Sequence, residues 1–508
     1  MKNFLSITIF TLSSFFCFSQ ATGTASVFQL ASISNTTYLI DTVGNTYNSW
    51  QCSANGASTA YLLKDGSIMR PYRVSNPSMN GGATGGGLQI IDWNNNVIWD
   101  YLWSSPNHQQ HHECIPIEQP NGTYNALLIS WERFDTTTVQ QAGGVNAEMW
   151  PTEIIEIEPA GSSSGNIVWE WHAFDHICQD NDTSLNNYYS DCNQHPELFD
   201  IGLFTGGGGG GQGNGDWIHA NGMDYSPFLD QIVFSSHFLH EIYIIDHSTT
   251  TAQAATHVGG NAGRGGDLLY RWGNPSNYGL NGIRELYTVH GANFINEGLP
   301  GQGNLMCFDN QATTNGGSGD SRVIELQSPL NNYNYSPPWN QSPLWTYSDP
   351  GNFYANHLSG SFRTKKGTTV ATLGTSTYWR EVDNQGTILY EYNHASGGGG
   401  GNNMAKTAIY ELDYPGLIGV VSAVKNQDIQ FELDIYPNPA TDKINVLLPS
   451  TSTLPVEVTI YDILGKKVNT HTATKKSFSL EINSFEKGIY FVKAMTSDYN
   501  ITKKLIVK

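Results

Sequence analysis

Four stretches of this chain repeat one pattern, a turn rich in asparagine or glycine followed by a short strand with alternating aromatics. They read "DWNNNVIWDYLW" at 92–103, "SGNIVWEWH" at 164–172, "SPLWTYS" at 342–348 and "NQGTILYEY" at 384–392. Similar strands, "YLLKDGSIMR", "DQIVFSSHFLHEIYIID" and "GNLMCFDN", lie between them. One small antiparallel unit cannot bury its apolar face alone, so units repeated over roughly 400 residues must stack on one another. With no helical periodicity present, the expectation is an all-β chain whose body is a six-bladed β-propeller. Its 53 glycines fit many tight turns. The runs at 81–87, 206–211 and 397–401 read as flexible loops near a rim.

The two ends follow different rules. "MKNFLSITIFTLSSFFCFSQ" places a lysine before an apolar run and then small or polar residues, which predicts a cleaved signal peptide over 1–20. No later stretch approaches the ~18 apolar residues of a membrane span, so no integral membrane segment is expected. Without Cys17, five cysteines remain for an oxidising compartment, and at least one stays unpaired. Cys178 and Cys192 bracket a polar loop of a size that a disulfide staples well, and both the bridged and the open state fit.

Charge divides the chain. Positions 21–431 carry 14 Lys and Arg against 37 Asp and Glu, whereas 432–508 carry 10 against 8. An acidic body without basic stripes excludes nucleic acid as a partner. It also requires any anionic substrate to be captured by a local cluster of donors. The reading is therefore a propeller over 21–425, a linker over 426–431 and a separate module over 432–508. That module alternates apolar and polar residues around "YPNPATD", "LGKK" and "EKG", as a small β-sandwich of about seven strands does. From Tyr436-Pro-Asn-Pro through Gly488-Ile-Tyr490 to the terminal "KKLIVK", it resembles the C-terminal sorting domain read by the type IX secretion system. The resemblance implies passage through the periplasm, engagement of that machinery, and a secreted or cell-surface product.

No glycine run is followed by Lys-Ser or Lys-Thr and a helix, so a nucleotide P-loop is excluded. No Gly-x-Ser-x-Gly elbow between a strand and a helix is read here, and His-Glu-x-x-His does not occur. Histidine remains. It clusters in "HQQHHE" at 108–113, "DWIHAN" at 216–221, "SSHFLHE" at 235–241 and "TVHGAN" at 288–293. A propeller would bring such clusters to one axis. In an extended strand residues two apart share a face, so His219 and Asn221 are expected to point together and His111 and His112 apart.

The stretches "HHECIPI", "MWPTEIIEI", "WEWHAFDH", "DWIHANGMDY", "IIDHSTTTAQAATHVGGNAGRGGDLLYRWGNP" and "HGANFI" make the body resemble the arylsulfotransferase family. These are six-bladed propeller enzymes that move a sulfuryl group from a phenolic sulfate to another phenol without a nucleotide sulfate donor. The resemblance implies that His290 is the nucleophile, that His112 or His111 and His219 bind sulfate, and that Asn221 accompanies them. Where the family often has an arginine before "IID", this chain has Ser236-His237. His237 is then expected to supply hydrogen bonds, with Arg363 of "SGSFR" as a substitute from another blade. Such transfer runs through a loose in-line transition state, so positioned donors matter more than strong bases. A neutral imidazole can hold the group as a sulfohistidine, and a second can protonate the leaving phenolate. Trp217 and Tyr378 are candidates for an aryl pocket, and no cofactor or metal is expected.

Two other classes use the same residues. A metal-dependent hydrolase or lyase would add Asp216 or Glu113 as ligands. A surface propeller that only binds glycans or proteins would keep the fold and dispense with the histidines.

Overall fold

The computed structural model describes residues 20–206, 214–394, 403–417, 433–448, 454–463, 466–495 and 500–508. All of the expected signal peptide but Gln20, the linker, and most of the glycine runs at 206–211 and 397–401 lie outside these residues. The chain divides into two compact units, 1–419 and 420–508.

Among the described residues of the first unit, six antiparallel sheets of four or five strands form the blades, each with its strands in radial order, beside two two-stranded sheets. Blade one holds Ala408–Tyr410, Phe28–Ile33, Thr36–Ile40 and Thr46–Gln51, and blade two holds Tyr61–Leu62, Ile68–Arg73, Gly86–Ile91 and Val97–Leu102. His108–Glu118, Tyr124–Glu132, Thr152–Ala160 and Ser164–His172 form blade three; Ala220–Ser226, Gln231–Ser236, Glu241–Asp246 and Tyr270–Trp272 form blade four. Blade five runs Val289–Phe294, Leu305–Asp309, Arg322–Leu326 and Trp345–Tyr347. Blade six runs Gly360–Arg363, Thr369–Leu373, Tyr378–Val382 and Ile388–Asn393, and takes Gln20–Gly23 as a fifth strand. The six-bladed propeller expected from the repeats is the observed fold. Ala408–Tyr410, late in the body, is the inner strand of a blade otherwise built from its beginning, so both ends of the body clasp the ring.

The repeat visible in the sequence is the fourth strand of a blade, and the tryptophan that this strand carries in five of the six blades has a recurring task. Trp50, Trp99, Trp169, Trp272 and Trp345 each donate their indole N–H across a blade boundary, to Asp92 O, Ser164 O, Thr249 Oγ1, Gln341 O and Asn384 O, over 2.8–3.1 Å. An indole N–H drawn out of water needs a partner, and the turn before the next outer strand supplies it. Between blades the side chains are apolar, as in the cluster of Ile129, Trp171, Met223, Phe234 and Tyr243 that joins blades three and four.

The run 81–87, "GGATGGG", is not the free loop expected. It is packed against the channel: a Cβ at Gly82 would lie 2.9 Å from His219 Cε1, and one at Gly85 would lie 2.0 Å from Gln110 Oε1. Thr84 Oγ1 accepts the Gly81 N–H at 2.9 Å and closes the turn within the run.

His247 ties blade three to blade four. Its Nδ1 meets Asp230 Oδ1 at 2.7 Å and its Nε2 meets Glu156 Oε2 at 3.0 Å. Burial opposes its charge, but the hydrogen bonds and fields of Asp230 and Glu156 outweigh it and push the imidazole up to about 9. A folded-state pKa above the ordinary ~6.5 gives stability that is complete below pH ~6.5 and lost as pH rises through the raised value. His247→Gln is therefore expected to cost about 2–3 kcal/mol at pH 6 and little at pH 10. Denaturant unfolding of both proteins at the two pH values measures this, and a gap that does not change with pH refutes it.

The second unit is a seven-stranded sandwich. Asp434–Tyr436, Lys443–Leu447 and Ser477–Glu481 form one sheet; Lys467–Ala473, Val456–Asp462, Gly488–Met495 and Asn500–Val507 form the other. Ile444, Val446, Val458, Ile460, Val492 and Leu505 fill its core. In the first unit, Cys178 and Cys192 are buried free thiols packed together with Leu198, so the bridge their spacing allowed is not formed. Among the described residues, no helix is long and apolar enough to cross a membrane.

Candidate active site

The histidines gather at the end of the axial channel where the inner strands begin. His111 and His112 lie near the start of His108–Glu118, His219 immediately precedes Ala220–Ser226, and His290 is the second residue of Val289–Phe294. His237 comes from the turn that follows Gln231–Ser236. Their rings form a chain across three blades. Centroids are 5.0 Å apart for His111 and His112, 4.8 Å for His112 and His219, 5.3 Å for His219 and His237, and 5.2 Å for His237 and His290.

Backbone strain builds this cluster. His112 and His219 have φ of 51° and 50°, in the left-handed region that non-glycine residues seldom occupy and that concentrates at functional sites. The left-handed turn at His112 breaks strand alternation. His111 and His112, expected to point apart, instead bring their Nδ1 atoms within 2.7 Å. Two glycines let the strands close in. A Cβ at Gly222 would lie 2.5 Å from Gly291 N, and one at Gly291, itself at φ +61°, would lie 3.0 Å from Gly360 Cα. The inner strands of blades four, five and six thus meet backbone to backbone beside the histidines.

Hydrogen bonds fix the tautomer of His290. Its Nδ1 faces two acceptors, Asn310 Oδ1 at 2.6 Å and Thr288 O at 3.1 Å. The Asn310 amide is itself oriented by donating to Ala355 O and Leu358 O, at 2.8 and 3.0 Å. The proton therefore sits on Nδ1, and Nε2 carries the lone pair, which accepts the Leu358 N–H at 3.1 Å. Burial lowers the His290 pKa to about 3 against the opposing effect of those hydrogen bonds. Burial likewise holds His111, His112 and His237 well below the ordinary histidine value, with the fields of neighbouring histidines adding to it. Two ring nitrogens, His111 Nε2 and His237 Nδ1, are buried without a hydrogen-bond partner. Unpaired buried polar atoms are rare in folded proteins and call for an explanation such as a ligand.

Other expected residues fall differently. Asn221 gives its amide to Val289 O and accepts from Ser235 Oγ, both at 2.7 Å, so it ties blade four to the residue before His290 and keeps one N–H for other use. Arg363 is not brought to the histidines. It pairs with Glu325 and lines, with Ile117, Asp224, Phe294 and Tyr410, a cavity of about 1060 Å³ at the end of the channel where the inner strands finish. Trp217 is buried against Phe199 and Phe204, because the left-handed turn at His219 leaves it facing the core. Tyr378 is held outward by Glu391 and Arg380. Glu113 points down the channel to Ser58, Tyr61 and Lys406.

Four contributors take roles that sequence reasoning does not give them. Asp216 holds His219 Nδ1 through one oxygen and accepts the Trp131 indole N–H through the other, at 2.9 Å. The i, i+3 spacing in "DWIH" was the available signal. Asn310 orients His290 from a strand end with no pattern around it. Phe238, partly exposed, has its ring centroid 4.6 Å from that of His219 and 5.1 Å from that of His237. It offers the apolar face expected of Trp217. His357 immediately precedes the Leu358 amide that caps His290.

A model of the arylsulfotransferase (ASST) family matches residues 34–395. A model of the secretion system C-terminal sorting domain matches residues 434–508. No curated protein matches the chain. Among solved structures it is similar to hydrazine synthase of Kuenenia stuttgartiensis, at 13% identity and TM-score 0.30, over 58% of this chain and 66% of that one. It is also similar to a putative 6-phosphogluconolactonase of Bacteroides fragilis, at 7% identity and TM-score 0.35, over 75% and 97%. A third is the periplasmic gluconolactonase of Pseudomonas aeruginosa, at 10% identity and TM-score 0.37, over 90% and 99%.

Proposed function

Because the chain belongs to the arylsulfotransferase family and ends in a sorting domain that marks a secreted or cell-surface protein, we propose that its histidine cluster transfers a sulfuryl group from a phenolic sulfate ester to a phenol. The observation that carries this reading is His290, a buried neutral imidazole whose tautomer leaves Nε2 as a nucleophile.

In the first half-reaction Nε2 attacks sulfur, the N–S bond forms, and the phenolate leaves with the electrons of the broken S–O bond. The Leu358 amide gives way as the sulfuryl group arrives. In the second half-reaction an acceptor phenol passes its proton to a neighbouring neutral imidazole and attacks sulfur, the new S–O bond forms, and the electrons of the broken N–S bond return to His290 Nε2. Asp216 holds His219 with its Nε2 free to face the group, and His112 and His237 offer further ring nitrogens to the equatorial oxygens, where charge spreads in the transition state. A neutral His237 supplies one N–H where an arginine would supply a fork, so the grip on oxygen here is made of single donors. Phe238 supports the aryl ring.

The test is turnover of a chromogenic aryl sulfate with a phenol acceptor, together with intact-mass detection of a sulfated enzyme. His219→Ala is expected to keep the nucleophile and slow its sulfation roughly a hundredfold, the effect of losing one preorganised donor. An unslowed His219→Ala variant removes that residue from the site. A wild-type protein inert toward every aryl sulfate tried points instead to a propeller that only binds.

A further inference from the structure

Outside the histidine cluster, the four strands of blade three end in a second constellation. Antiparallel order brings two strand starts and two strand ends to one end of the blade: His108 opposite Glu132, and Glu153 opposite His172. We propose that His108, Glu132, Glu153 and His172 bind a divalent transition-metal ion of the zinc type.

The spacing is that of a ligand shell. His108 Nδ1 lies 3.0 Å from both oxygens of Glu153, and His172 Nδ1 lies 3.2 Å from Glu132 Oε2 and 3.9 Å from Glu153 Oε2. Four donors placed tetrahedrally at ~2.0–2.1 Å from zinc stand ~3.3 Å from one another, so small side-chain shifts complete the shell. The donor set, two imidazoles and two carboxylates, suits zinc, and the two negative charges match a divalent ion when both imidazoles are neutral. Glu132 Oε1 is buried and has no hydrogen-bond partner, in a residue only 8% exposed. That atom is a donor in need of a ligand.

Outer contacts are in place as well. Trp103 Nε1 donates to Glu153 Oε1 at 3.2 Å, and the Glu170 carboxylate stands 3.8 Å from His172 Nε2, short of a hydrogen bond as it stands and one small shift from the carboxylate–histidine contact that orients metal-bound imidazoles. The Glu153 side chain is fully buried while those of His108 and His172 are 39% and 23% exposed, so solvent reaches the group from the histidine side. His108 lies three residues before His111 on one strand, and an ion here would clamp the strand ends of the blade that carries His111 and His112.

The experiment is calorimetric titration of the full chain, stripped with a chelator, using Zn²⁺ alone. One ion is expected to bind, with affinity unchanged in His237→Ala and lowered at least ~10-fold in His172→Ala and in Glu132→Gln. Failure of the stripped wild-type protein to bind Zn²⁺, or binding undiminished in both blade-three variants, overturns the proposal. If either variant does not fold, zinc-edge absorption of the wild-type complex decides: a mixed nitrogen and oxygen shell supports the site, and an all-imidazole shell places the ion in the histidine cluster and overturns it. Binding is read without sulfuryl transfer, so the outcome is independent of the proposed function.

Discussion

His290→Ala is expected to abolish both aryl-sulfate turnover and the sulfated form of the enzyme. The other histidines cannot take over. His111 and His112 share their Nδ1 contact with each other, and His219, held at Nδ1 by Asp216, grips the sulfuryl oxygens in this reading, so replacing His290 leaves no imidazole seated between the Asn310 oxygen and the Leu358 amide. The loss should be at least ~10³-fold in kcat/KM, the scale seen when a nucleophile is removed from a site whose groups act as a unit. The same assay run as single-turnover mass spectrometry tells apart the two ways of failing. A variant that binds the aryl sulfate without gaining mass fits the assignment, and one that turns over like the wild type ends it. Because burial lowers the His290 pKa to about 3, protonation of the nucleophile should not limit the wild-type reaction between pH ~5 and ~8.

Removing residues 434–508 is expected to leave the propeller folded and confined to the periplasm. The deleted segment has its own core and supplies no strand to any blade, so the truncation leaves every described sheet of the body intact. What it removes is the sorting domain. Cell fractionation with an antibody to the body measures the result as a nearly complete loss of the exported protein. Truncated protein on the cell surface or in the medium would show that export does not depend on this domain.

The blades were legible because the outer strands repeat. An outer tryptophan needs an apolar seat and a partner for its N–H, and both demands recur from boundary to boundary, so Trp99, Trp169 and Trp345 stand in similar surroundings along the chain. The histidine cluster was legible as a set for a related reason, since any polar residue at the start of an inner strand is carried to the axis. Its orientation was not. Alternation describes an extended strand, and the left-handed residues at His112 and His219 depart from it, which is why His112 faces its neighbour and Trp217 faces the core. Nor does alternation tell which end of a channel a residue occupies. Arg363 sits at the far end of its inner strand from Gly360, and that distance along the strand separates it from the histidines. Asn310 carries no local pattern because its role depends on His290, twenty positions earlier and on the neighbouring strand.

The indole contacts at the rim have a geometric consequence for the axis. Six blades must share one full turn, so an angle fixed at one boundary constrains the angles left for the others. Trp50, Trp99, Trp169, Trp272 and Trp345 fix five of these boundaries from the periphery. The bore in which His112, His219, His237 and His290 face one another is in this sense gauged from outside, by residues that never touch it.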